Sequence, residues 1–169
     1  MIVLKFILSS IIILCSTRVG IEISKKYVLR ENELYEFKNN LEIMKNRIEY
    51  TYEPLDRVFD FIAKNSNSEV SNVFKNVALN ISYNDPTSLL KEEIEKSNLS
   101  INKEDREIII SFGNNLGKTE KEGQISNINL TISLLDKQIG QAKREREKNE
   151  NLYKKLGIIF GIMICVILI

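Results

Sequence analysis

The chain has 169 residues, with 24 lysines and arginines against 23 aspartates and glutamates, a net charge of +1 and a pI of about 7.7. That length suits one domain, and the balanced charge supplies no basic field of the kind that nucleic acid would need. Histidine is absent, which excludes Ser-His-Asp and Cys-His nucleophile systems and zinc sites of the usual type.

At the N-terminus, Phe6 to Thr17 is apolar or hydroxylated, and extension to Ile2–Ile21 admits only Lys5 and Arg18. Both can snorkel from near the ends of a span of roughly 20 residues. A signal peptide is the rival reading, but Ser16-Thr17-Arg18 puts a charge where a cleavage site wants small residues. Residues 1–21 are therefore expected to be a retained transmembrane anchor. Cys15, like Cys165 at the other end, lies in an apolar segment without a partner motif and reads as a small apolar residue.

Next, Leu34, Phe37, Leu41, Met44, Ile48 and Thr51 step 3-4-3-4-3, the spacing that keeps one helix face on a partner. This helix ends at Tyr50-Thr51-Tyr52-Glu53, and Pro54 restarts a second at its first turn, faced by Leu55, Val58, Phe59 and Ile62. Asn65-Ser66-Asn67-Ser68 is a polar loop that offers N-caps. A third stripe is Val70, Val73, Phe74, Val77 and Ile81. Asn84-Asp85-Pro86 then opens a fourth helix, with Leu89, Leu90 and Ile94 facing the core. Asn102 caps a fifth, with Asp105 at N3 and Ile108, Ile109, Phe112 and Leu116 on its apolar side, ended by Gly113 and Gly117.

From Thr119, with Glu122 completing a capping box, the rest of the chain is free of proline and reads as one long helix. Its seam is Ile125, Ile128, Ile132, Leu135, Ile139 and Ala142, and the polar Arg146 and Asn149 end the packed face. The charged run Ala142 to Asn151 reads as a water-exposed stalk. Lys154 and Lys155 precede Leu156–Ile169, which carries no charge. Gly157 and Gly161 form a GxxxG in that tail, whose small residues let helix backbones approach closely. The motif suits a homo-oligomer and equally pairing with the chain's own first span. The expected fold is all-α: an antiparallel six-helix bundle over 22–151, between transmembrane helices at 1–21 and 152–169.

Gly113-Asn-Asn-Leu-Gly117-Lys118-Thr119 looks like a phosphate loop but holds three residues, not four, between the first glycine and the GK pair. The chain also lacks the strands such a loop needs behind it. Carboxylates such as Asp56, Asp60, Glu92, Glu93 and Glu95 alternate with basic residues as on solvated helix faces. No catalytic, metal or cofactor residue is expected. Arg18, Lys25, Lys26 and Arg30 follow the first span, and Lys143, Arg144, Arg146, Lys148, Lys154 and Lys155 precede the second. By the positive-inside rule this predicts a two-span cell-membrane protein with its middle domain in the cytoplasm.

Phe112-Gly113-Asn-Asn-Leu116-Gly117, followed by Glu120, Gln124 and Ile128, resembles the core signature of the stage III sporulation protein AB family. The likeness extends to Ile48-Glu49-Tyr50 with Pro54-Leu55, and to Lys155-Leu156-Gly157 with Gly161 opening an apolar tail. Glu120 stands where the family usually has aspartate, and Thr51-Tyr52-Glu53 replaces a glycine-containing turn. The resemblance implies a non-enzymatic membrane scaffold in endospore formation, facing the mother-cell cytoplasm. It is similar to the platform proteins of type II secretion and type IV pilus systems. Its implied partners are an ATPase, stage III sporulation protein AA, the other proteins of the AA–AH channel complex, and membrane lipid. Tyr50, Pro54, Leu55, Phe112, Gly113, Leu116, Gly117, Glu120 and Gln124 are then candidates for partner binding or packing, and Gly157 and Gly161 for membrane-helix packing. The alternative is a membrane-anchored helical-bundle sensor or interaction protein with an extracytoplasmic domain.

Overall fold

A computed structural model describes residues 2–51, 53–65, 67–81 and 85–168. Among them are six α-helices and no strand: α1 Ile2–Asn46, α2 Leu55–Asn65, α3 Glu69–Asn80, α4 Pro86–Lys96, α5 Lys103–Gly113 and α6 Lys121–Leu168. A π-helical turn, Arg47–Thr51, continues α1. The all-α expectation and the six helices hold. Parts of the expected turns, at Tyr52, Ser66 and Asn84, lie outside the described residues, as does Ile169. The chain forms two compact units, one of residues up to Glu31 with those from Gln141 onward, the other Asn32–Gly140.

In the unit Asn32–Gly140 the periodic apolar residues are the core. Leu34, Phe37, Leu41 and Met44 are buried with Val58, Phe59 and Ile62, and Phe74 lies 5.8 Å from Phe37 and 5.5 Å from Phe59 between ring centroids. The helix starts are set by side chains that accept otherwise orphaned amides: Ser68 from Ser71, Asp85 from Ser88 and Asn102 from Asp105. Pro54 stands one position earlier than expected, its carbonyl accepting from Val58 N at 3.2 Å. Thr51 is exposed, not in the seam, and its hydroxyl donates to Arg47 O at 2.6 Å.

The buried face of α6 keeps Ile128, Leu135, Ile139 and Ala142 of the expected seam but not its other two members. Ile125 and Ile132 are only half-buried, while Gln124, Thr131 and Gln138 lie inside with Ile128 and Leu135. Hydrogen bonds offset part of the cost of that burial: Thr131 Oγ1 donates to Asn127 O at 2.8 Å, and Gln124 Nε2 to Asn115 O at 3.1 Å. The helix also starts at Lys121, one residue later than a cap at Thr119 implies.

Leu99 and Ile101, in the connection from α4 to α5, add to the core without any periodic signal. Arg106 holds that connection by donating to the carbonyls of Ile94, Ser97 and Leu99. On its other side Glu33 accepts from Ser100 N at 2.7 Å. Burial pushes the Glu33 carboxyl up to about 7, with Glu69 and Glu36 adding to the effect against the Ser100 amide and Arg106. A raised pKa means the folded state holds the proton more tightly. The stability it contributes is complete below about pH 4.5 and is lost as pH rises through about 7. Because the group is partly open to solvent, the loss should be roughly 1 kcal/mol. Urea midpoints of the protein should therefore fall, relative to Glu33→Gln, between about pH 5 and pH 8; parallel pH profiles for the two would refute this.

In the other unit, α1 and α6 pack antiparallel. Cys165 Sγ donates to Ser9 O at 3.4 Å, Ser16 Oγ to Gly157 O at 2.5 Å, Tyr27 stacks on Tyr153 at 5.8 Å, and Arg30 reaches Glu145 at 2.6 Å. The inside is small or polar (Gly20, Ser24, Glu31, Gly157, Gly161) and the outside carries Leu14, Val19, Phe160, Val166 and Ile167, the inverse of the pattern in the unit Asn32–Gly140. Packing therefore does not stop at Arg146. That residue pairs with the buried Glu31 at 3.2 Å, so within the expected water-exposed stalk Lys143, Arg144, Glu147 and Lys148 are exposed while Glu145 and Arg146 are paired with α1.

The two-span expectation is overturned. Among the described residues no helix is long and apolar enough to cross a membrane. Both apolar stretches of the described helices are bounded by charge. On their inner sides both helices run directly into Arg18 and Glu22 or Lys155 and Lys154. The cell-membrane location and the mother-cell-facing orientation built on two spans go with it.

Candidate functional site

The sequence-predicted residues of the unit Asn32–Gly140 come together around the turn between α5 and α6. Phe112 and Leu116 are buried and anchor it. Gly113 follows the wall: a Cβ there would stand 3.0 Å from Leu90 Cδ2. Its carbonyl accepts from Leu116 N at 3.0 Å and from Thr87 Oγ1 at 2.8 Å, which ties the turn to the start of α4. Gly117 has φ of +74°, the left-handed region that favours glycine. Gly117→Ala should cost about 1 kcal/mol by thermal melting; an unchanged melting temperature would refute the backbone argument.

Gln124 and Asn127 complete the clamp from α6. Gln124 Nε2 donates to Asn115 O at 3.1 Å and Thr119 O at 3.2 Å, and Asn127 Nδ2 to Phe112 O at 2.9 Å. The segment Glu49–Leu55 joins here: Lys121 Nζ donates to Glu49 O at 2.7 Å, and a Cβ on Gly117 would lie 3.4 Å from Leu55 Cδ1. Two sequence patterns some 60 residues apart thus form one surface. In the turn Asn114, Asn115, Lys118, Thr119 and Glu120 are exposed, and Tyr50, next to the bonded Glu49, is 72% exposed. Beside it Arg47 pairs with Glu53 at 2.5 Å and lies 3.3 Å over the Phe61 ring.

The sequence reading missed Thr87, Lys121 and Asn127. Only Asn127 left a local signal, three residues after Gln124 on the same face of a helix. The others act through backbone carbonyls far away in the chain, which no spacing reveals. Gly157 and Gly161 belong to the other unit, where Gly157 meets Gly20 and Gly161 meets Ile13 and Ser16 of the same chain.

Chemically the turn is closed upon itself. The amides of Asn114, Leu116 and Lys118 donate to Ser111, Gly113 and Asn115 carbonyls, so they do not form an open phosphate cradle. Lys118 Nζ turns to Thr87 Oγ1 at 3.0 Å and to Asp85 at 3.8 Å. Although slight burial works against it, the Ser88 amide and hydroxyl and the Lys118 charge hold the Asp85 carboxyl below its ordinary value. Among the described residues no group of three His, Cys, Asp or Glu side chains could hold a metal ion.

Known proteins align with most of this chain. The family model described as stage III sporulation protein AB matches residues 5–169. The stage III sporulation protein AB of Bacillus subtilis (strain 168) is 25% identical over 169 residues, taking in 98% of this chain and 99% of that protein. A solved structure of a stage III sporulation protein AB superposes with a TM-score of 0.65 at 22% identity, covering 71% of this chain and 98% of its own. At that identity the likeness bears on the fold alone.

Proposed function

The chain belongs to the stage III sporulation protein AB family, and from that premise we propose that it is a non-enzymatic scaffold of a sporulation assembly. In this reading the surface around Tyr50 and the turn Gly113–Glu120 docks a secretion-type ATPase, stage III sporulation protein AA, and so couples it to the other AA–AH proteins. A role in sporulation follows from the family; the scaffold and its partner are the proposal.

One observation carries the docking role. Five side-chain bonds to backbone carbonyls, from Thr87, Lys121, Gln124 (twice) and Asn127, hold the turn and its neighbours in one conformation. A surface ordered in advance loses little entropy when a partner binds. Its exposed members, an aromatic ring among amides and single charges, suit protein recognition. They do not converge on an enclosed pocket with a reactive group.

Photoreactive residues at Tyr50, Asn115 and Glu120, with Glu92 on α4 as a control, test this in sporulating cells. The first three should capture the ATPase and the control should not. Capture of the ATPase from Glu92 alone, or from none of the four, would sink the docking assignment.

A further inference from the structure

In the unit Asn32–Gly140, Lys38, Lys64, Lys91, Lys96 and Lys103 each have a carboxylate one helical turn away, at 2.5–3.9 Å. Arg57 on α2 and Lys75 on α3 break that habit. Among the described residues neither side chain makes an ion pair or a hydrogen bond. Both line one depression of about 550 Å³ between α2 and α3.

Their neighbours explain why. Of the carboxylates close to Arg57 in sequence, Glu53 is taken by Arg47 at 2.5 Å and Asp60 by Lys64 at 2.6 Å. Asp56 stands in the first turn of α2, where its charge favours the helix. Arg57 stands in the same turn, where a positive charge opposes the helix dipole. Lys75 has Ser71, Asn72, Ala78 and Leu79 at its helical neighbour positions, none of them acidic. Two exposed cations are thus kept without a partner that folding supplies, and one of them opposes its own helix.

The rest of the lining supplies an apolar seat. Ala63 and Ala78 are small and half-buried, and Leu79 is 68% exposed. Among the described large apolar side chains of this unit only Tyr50, at 72%, is more exposed. Asp60 and Lys64, also in the lining, offset each other. An inorganic anion would use the two cations and leave the seat bare, and a neutral apolar segment would cover Arg57 and Lys75 unpaired. We propose that this groove docks an acidic segment of another protein, whose apolar side chain covers Ala63, Ala78 and Leu79 while its carboxylates pair with Arg57 and Lys75. The groove alone carries this assignment, whatever docks around Tyr50. Complementarity of this kind acts on partner choice and on the rate of encounter.

An apolar photoreactive residue in place of Leu79 in the full chain, used in sporulating cells, identifies the occupant once the crosslinked segment is sequenced. That segment should come from a different protein and carry carboxylates on both sides of an apolar residue. Arg57→Glu with Lys75→Glu should cut the yield by roughly tenfold or more. The melting temperature should not fall, because a negative charge in the first turn of α2 is favourable. Lys137→Glu, at an exposed position of α6, should leave the yield unchanged. Replacing the captured carboxylates by lysines should restore capture by the charge-reversed groove. Capture of this chain's own sequence would make the occupant a second copy, and capture of lipid or of a neutral or basic segment would remove the role of charge; each overturns the proposal. No capture at all, an equal loss in Lys137→Glu, or a charge exchange that restores nothing would overturn it too. A lower melting temperature accompanying the lost capture would assign Arg57 and Lys75 to stability instead.

Discussion

Gly20→Val is expected to force α1 and α6 apart and to expose Cys165. A Cβ at position 20 would stand 2.6 Å from Tyr153 O and 3.0 Å from Gly157 Cα, and both of these are backbone atoms that no rotamer change can move. Valine adds two methyl groups to that overlap. Overpacking of this kind costs about 3 kcal/mol, which as an opening equilibrium is roughly a hundredfold. Cys165 is buried in the wild type, 6% exposed. In a Cys15→Ser background its labelling by a thiol reagent should accelerate by about that factor. Val19→Ala, at the neighbouring exposed position, should leave the rate unchanged. Equal labelling in Gly20→Val and the parent would show that the helices do not approach through this glycine.

The second large effect is expected at Phe74→Ala. Its ring is 2% exposed and lies between Phe37 and Phe59, so it joins α1, α2 and α3 at one point. Removing it takes away buried apolar surface and leaves a cavity that three rigid helices fill only in part, a loss of about 3–5 kcal/mol. Against a total stability of about 5–15 kcal/mol this is a large fraction, and the urea midpoint should fall accordingly. Leu79→Ala, one turn and a half along the same helix and 68% exposed, should change stability by less than about 0.5 kcal/mol. Similar midpoints for the two variants would mean that the aromatic cluster is not the centre of the core.

The candidate site was legible in pieces. The resemblance to the stage III sporulation protein AB family named most of its residues, and local chemistry marked only the glycine-ended turn and the helix restart at Pro54. That the two pieces form one surface was not legible, since Lys121 reaches Glu49 O across 72 residues of chain. The membrane expectation failed for a related reason. A charge count by flank saw basic residues beside two apolar runs, but Arg30, Arg146 and Lys154 are engaged with Glu145, Glu31 and Glu150 in turn. Those charges are partners in a helix pair, and among the described residues no helix is long and apolar enough to cross a membrane.

By itself the amino-acid sequence determined the helix count, most caps and the core residues of α1 to α5. Each of these follows from spacing within about four residues or from one side chain reaching its own helix start. In α6 spacing also named Ile128, Leu135, Ile139 and Ala142 correctly, and tertiary structure decided there only that polar residues such as Gln124 and Thr131 join them inside. Hydrogen bonds to Asn115 and Asn127 carbonyls offset part of the cost of having Gln124 and Thr131 in the core in place of Ile125 and Ile132. It alone also decided the fate of Gly157 and Gly161, which had suited a second copy of the chain as well as the first helix. Both now lie against Gly20, Ile13 and Ser16. Periodicity identifies a face that must be covered, but the identity of the cover depends on contacts between residues more than a hundred positions apart.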